Sequence, residues 1–102
     1  MLWQHKGSRV LTLDIYGILA RNGYYLEHTE DLIEQLYDDY DPELDPTPML
    51  ADLVLSNRGY PLVEKALSRT MDKGKLVILA TSLVRVEKWS RYKAKFDEKI
   101  KD

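Results

Sequence analysis

Val54-Leu55-Ser56-Asn57-Arg58-Gly59-Tyr60-Pro61-Leu62 is the stretch whose reading decides the fold. Aliphatic residues run into a glycine, which suits the left-handed conformation that stops a helix. A proline two positions later suits the first turn of the next one. The stretch therefore reads as helix, stop, helix. Ile18-Leu19-Ala20-Arg21-Asn22-Gly23-Tyr24-Tyr25-Leu26 repeats the pattern 36 residues earlier, a spacing in the range of helical-hairpin repeats. A duplicated hairpin and two unrelated joints with the same capping chemistry both predict antiparallel helix pairs.

Before the first joint, Leu13, Tyr16, Leu19 and Ala20 recur at threes and fours from Thr12 onward, a helical period. The competing reading makes Val10 to Ala20 a strand and Asn22-Gly23 a type I′ hairpin turn. Between the joints, Thr29 is placed to cap a helix whose first turn holds Glu30 and Asp31, where the helix dipole favours acids. Leu32, Ile33, Leu36, Tyr37 and Tyr40 form its apolar face, and Pro42 stops it. Thr47-Pro48 is a second start signal, for a helix using Met49, Leu50, Leu53 and Val54 and ending at Gly59. Pro61 opens a fourth, with Leu62, Val63, Ala66, Leu67 and Met71 inward and Gly74 closing it.

The last third admits two readings. Leu76-Val77-Ile78-Leu79-Ala80 is an apolar run equally consistent with a buried strand and a buried helix. From Ser82 onward, Val86, Trp89, Tyr92, Phe96 and Ile100 predict a long C-terminal helix, with Lys88, Arg91, Lys95 and Lys99 on its other face. A heptad started at Leu76 lands on Ser90 and Lys93, so a coiled coil fails. The expected fold is mainly α: a compact bundle of about five helices with helix–Gly–helix joints, and one short strand or hairpin near 75–86 as the variant.

Composition sets the limits. The 102 residues, 44% hydrophobic and 31% charged, suit one globular domain over 1–102. With no cysteine, a disulfide scaffold, a thiolate zinc site and a cysteine nucleophile are excluded. The N-terminus lacks a secretory apolar segment, and no run is long enough to span a bilayer. A soluble, cytoplasmic protein is expected. The net charge of −2 conceals strong polarity. Asn22 to Asn57 holds ten carboxylates and no lysine or arginine, whereas Arg58 to Asp102 holds twelve basic side chains against six acidic ones.

Most chemical motifs are absent. Asp39-x-Asp41-x-Glu43-x-Asp45 spaces its acids like a calcium loop, but Leu44 and Leu50 stand where the loop needs Gly and Glu. His5 and His28 have no zinc-enzyme spacing. There is no Gly-x-Ser-x-Gly elbow and no phosphate-cradling glycine loop. No cofactor is indicated. One segment has an enzymatic parallel: Leu11-Thr12-Leu13-Asp14-Ile15-Tyr16-Gly17 resembles the nucleophile strand of haloacid-dehalogenase-type hydrolases, and Lys75 to Ser82 is similar to their second motif. The resemblance implies Asp14 as nucleophile. Ile18 departs from the threonine usual in that family, and the twenty residues after Ser82 leave little room for its later strands and metal-binding acids.

Two binding readings remain, both non-enzymatic. In the first, the C-terminal helix lies across the acidic segment, within one chain or between two as a homodimer. The remaining acidic surface of Glu34, Tyr37, Asp38, Asp39, Tyr40, Asp41 and Glu43 then meets a protein partner with a basic surface. Tyrosine interleaved with aspartate gives flat apolar contact plus charge. In the second, Lys65, Arg69 and Lys73 form one basic stripe on a helix over 61–73, assisted by Arg58 and Lys75. With a hairpin from Lys75 to Glu87, that is a winged helix for nucleic acid. The basic amphipathic C-terminal helix also fits a membrane surface, but its aromatics are needed to close the core, so no membrane partner is expected.

Overall fold

The computed structural model describes residues 6–101, with side chains from 13 to 100. It contains six α-helices: α1 (Lys6–Arg21), α2 (Leu26–Asp38), α3 (Thr47–Leu55), α4 (Tyr60–Arg69), α5 (Lys73–Arg85) and α6 (Trp89–Lys101). A 3-10 turn at Pro42–Leu44 precedes α3. The expected mainly α bundle is present, with six helices rather than about five and no strand among the described residues. The apolar run 76–80 belongs to α5, in which Leu76, Leu79 and Leu83 are buried while Val77 and Ile78 are exposed. Only one side of the run is covered. That is a helical pattern.

The helices form two layers. The Gly17 backbone lies so close to α3 that a Cβ there would stand 3.7 Å from the Met49 Cα. Arg21 reaches Asp52 at 2.9 Å and the Ala20 carbonyl accepts from Ser56 Oγ at 2.5 Å. Residue numbers thus rise together, and α1 and α3 run parallel. On the other side of α3, Lys75 lies near Pro48 and Met49, and Arg85 near Leu55. Helix α5 is therefore parallel to both. The even helices form the second layer: Glu30 meets Arg58 and Asp38 meets Lys65, while Tyr60 faces Arg91 and Tyr92, and Glu64 faces Lys95. The smallest dimension, 19 Å, is about two helix diameters.

The chain is thus three antiparallel hairpins, α1–α2, α3–α4 and α5–α6, stacked side by side. Helix α3 lies in the middle and supplies the centre of the core, with Leu50, Leu53 and Val54 fully buried.

Each hairpin turns on a left-handed residue. At Gly23 the helix end is closed by Gly23 N–H to Ala20 C=O (3.0 Å) and Tyr24 N–H to Leu19 C=O (2.8 Å). Asn57 (φ 59°) and Glu87 (φ 61°) end α3 and α5 with the same pair of bonds, a Schellman closure each time. Gly59, expected to end α3, has another role. At φ 80° it precedes α4, and a Cβ there would stand 2.7 Å from a Leu53 methyl. Its counterpart before α2 is Tyr25, also left-handed at φ 53°. The backbones of these joints therefore correspond at an offset of 34, whereas the residue pattern matches at 36. The matching residues do not perform matching jobs, which favours a shared local solution over a copied one.

Other local expectations shift by a turn. Helix α2 begins at Leu26 rather than after Thr29, because Leu26 is drawn against the core. Thr29 is left buried, and its hydroxyl has no hydrogen-bond partner. The N-cap of α3 is Pro46, and the Asp45 side chain just before it accepts from the first helical N–H, that of Thr47, at 2.9 Å. Helix α4 stops at Arg69, so Met71, expected inward, is 76% exposed. Gly74 lies in the first turn of α5, capped by Asp72, whose side chain accepts from the Gly74 N–H. The long C-terminal helix is broken at Glu87 into α5 and α6. His5 lies outside the described residues.

Candidate functional site

The acidic segment splits in three when folded. Asp38, Asp39, Tyr40 and Asp41 line a half-open cleft of about 670 Å³ floored by Leu32, Leu36 and Leu44. Glu34 turns instead towards α4, 3.6 Å from Lys65 Nζ. Glu43 lines a separate cavity between α1 and α3. Tyr37, assigned to the partner surface by its sequence setting, is fully buried. Its position continues the stripe of Ile33 and Leu36, and its ring fills the junction of α2 and α3. Of the cleft floor, Leu32 and Leu36 read as core from their period, whereas Leu44, expected in a loop, is buried.

A buried polar network fixes this end of the molecule. The Asp45 carboxylate accepts from Thr47 Oγ1 (2.5 Å), Thr70 Oγ1 (3.2 Å) and the Tyr40 phenol (2.9 Å). Because the Thr47 proton is committed to Asp45, the Tyr37 phenol donates to Thr47 Oγ1 at 2.8 Å. Burial pushes the Tyr37 phenol well above its ordinary range. Burial, together with the hydrogen bond to Asp45, raises Tyr40 to about 12. Both shifts contribute stability that is complete below the ordinary phenol range and lost as pH rises through the folded values. The network ties the end of α2, the start of α3 and Thr70 beyond α4 together, so the cleft rests on a rigid base.

The electrostatics of the cleft are unusual for a helix end. The carbonyl end of a helix carries partial negative charge and favours cations. Helix α2 has no basic residue in its last turn, and Asp38 and Asp39 stand there instead. Lys65 partly compensates, 2.7 Å from Asp38. That hydrogen bond is the leading cause of the raised Lys65 pKa. Asp39, at the edge of the cleft, is exposed.

The C-terminal helix does not cross the acidic segment within the chain. Neighbour-by-neighbour stacking places α4 between α2 and α6, and α6 packs on α4 and α5. Its lysines pair with Glu64 and with Asp97 of α6 itself, while Tyr92 and Phe96 enter the core and Trp89 packs on Phe96 at 5.1 Å.

The basic stripe is also dispersed. Arg58 pairs with Glu30, Lys65 with Asp38, and Lys73 Nζ donates to the Ile100 carbonyl. Arg69 ends α4, and Lys75 faces the α1–α3 cavity on the other layer. With 73–85 helical, neither a recognition helix over 61–73 nor a wing over 75–87 exists. The hydrolase resemblance fails on geometry too: Leu11 to Gly17 and Lys75 to Ser82 are helical, and Asp14 is exposed on α1. The nucleophile of such enzymes needs the end of a strand. Asp52, half-buried beside Gly17, has its pKa raised by burial, with Arg21 opposing the shift. Among the described residues no three His, Asp or Glu side chains are grouped to hold a metal ion, and no helix is long and apolar enough to cross a membrane.

Comparison with known proteins gives no likeness to lean on: no family model, curated protein or solved structure matches the chain.

Proposed function

We propose that this chain is a non-enzymatic protein-binding or regulatory module that receives a basic segment of a partner protein in the cleft at the end of α2. One observation carries the reading. Two carboxylates, Asp38 and Asp39, occupy the helix end where negative charge is least favourable, above a floor of three leucines. Acids so placed cost roughly 0.3–1 kcal/mol each at low salt. An arriving lysine or arginine lays its aliphatic stem on the leucines and its charge among the aspartates, so binding offsets a local cost.

A synthetic amphipathic leucine–lysine peptide, titrated into the isotope-labelled chain, tests this. Shifts are expected at the amides of Gln35, Asp39 and Tyr40, weakening as salt is added. Asp39→Lys should abolish them while raising the thermal midpoint. Shifts confined to other helices, or an Asp39→Lys chain that binds equally well, would contradict the reading.

A further inference from the structure

We infer that the joint between α1 and α2 has two positions, with α2 beginning either at Leu26 (closed, as described above) or after Thr29 (open). The inference is independent of the cleft reading. Helix α2 starts poorly in the closed position. Its N-cap, Tyr25, offers no side-chain hydrogen bond and is held left-handed at φ 53°, a conformation that disfavours a non-glycine residue by about 5–30-fold. One turn on, the Thr29 side chain is fully buried and its hydroxyl has no partner, which is costly for a polar group out of water. The second joint shows what a settled start looks like. At the same offset of 34, Gly59 stands for Tyr25 and the fully buried Val63 stands for Thr29. Both residues of the second joint suit the closed position; neither residue of the first does.

Both misfits are relieved together if the helix sheds its first turn. Thr29 then becomes the N-cap, and its hydroxyl accepts from the N–H of Asp31 or Leu32. Glu30 and Asp31 enter the first turn, where the helix dipole favours acids, taking the place that Glu27 has in the longer helix. Tyr25 is released to an ordinary backbone conformation. The shortened helix keeps its place, because Glu30 stays tied to Arg58 while Ile33, Leu36 and Tyr37 stay in the core. What the change gives up is local. It costs the partial burial of Leu26, the ring contacts of Tyr25 and His28 with Tyr16, and the 2.9 Å bond from the Thr29 N–H to the Tyr25 carbonyl. The joint is thus a device that covers Leu26 when closed and presents it when open.

Amide hydrogen exchange of the full chain, read as protection factors, tests this. In the open position the amides at 29 and 30 lose their helical partners, so in the parent they should be at least about tenfold less protected than that of Tyr37. Thr29→Val removes the cap of the open position and suits the closed site. Protection at 29 and 30 is then expected to rise by about tenfold or more, with a smaller rise at Tyr37. Thr29→Ser keeps the hydroxyl and should leave the first turn at least as open as in the parent. Parent amides at 29 and 30 as protected as that of Tyr37 overturn the inference. So does a Thr29→Val chain in which protection fails to rise or rises equally along all of α2, or a Thr29→Ser chain protected as strongly as the valine variant.

Discussion

Where α3 meets α1 and α5, the contact is closed mainly by aliphatic side chains; where α4 meets α2 and α6, carboxylates and lysines face each other at the surface. The inner layer buries Leu50, Leu53, Val54, Leu76, Leu79 and Leu83, whereas the cross-helix ion pairs of the outer layer are all partly exposed. Burying one leucine side chain is worth about 1.5–3 kcal/mol, whereas ion pairs between exposed groups contribute at most about 1 kcal/mol. The inner layer therefore holds the stack together. The charge pattern of the outer layer is not what holds the stack together.

Three substitutions can break or sharpen that contrast. The largest effect is expected inside: Leu79→Ala, at a fully buried position between layers, should lose about 2–5 kcal/mol in urea unfolding. A loss below that of an exposed leucine would mean that α5 is not held as described. Next comes the third joint, where Glu87 is left-handed without being glycine. Glu87→Gly should raise stability by about 1 kcal/mol by removing the Cβ clash; a destabilised variant would contradict the closure seen there. The smallest effect is outside. Lys65→Met keeps the aliphatic stem and removes the charge facing Glu34 and Asp38. Its unfolding midpoint at physiological salt should be indistinguishable from the parent's, and a large loss would show that charge holds the outer layer after all.

What could be read from the residues follows the same division. Faces with an unbroken period, such as Leu32, Ile33, Leu36 and Tyr37, gave α2 its inward side, and Thr47-Pro48 marked the start of α3. The first two joints were visible because glycine and proline declare themselves locally. The third was hidden because nothing in Val84 to Trp89 favours a left-handed glutamate. It is imposed by the packing of Tyr92 and Phe96 on the core, and with it went the separation of α5 from α6. The cleft was half legible. Its aspartates were evident, but Tyr37 turned inward and the leucine floor came from the meeting of α2 with the 3-10 turn, a contact that no linear pattern encodes. Charge polarity along the chain was real, yet stacking order decided which basic side chains meet the acids, and these are Arg21, Arg58 and Lys65 rather than those of the C-terminal helix.

The parallel run of α1, α3 and α5 is the arrangement on which the two-layered stack rests, and a spin label tests it directly. The chain has no cysteine, so Asp14→Cys, at an exposed site on α1, gives one attachment point. Paramagnetic broadening is expected to be strong at the amides of Met49 and Lys75 and weak at Leu55 and Arg85. The reverse pattern would mean that α3 and α5 run against α1, and the two-layered stack would be wrong.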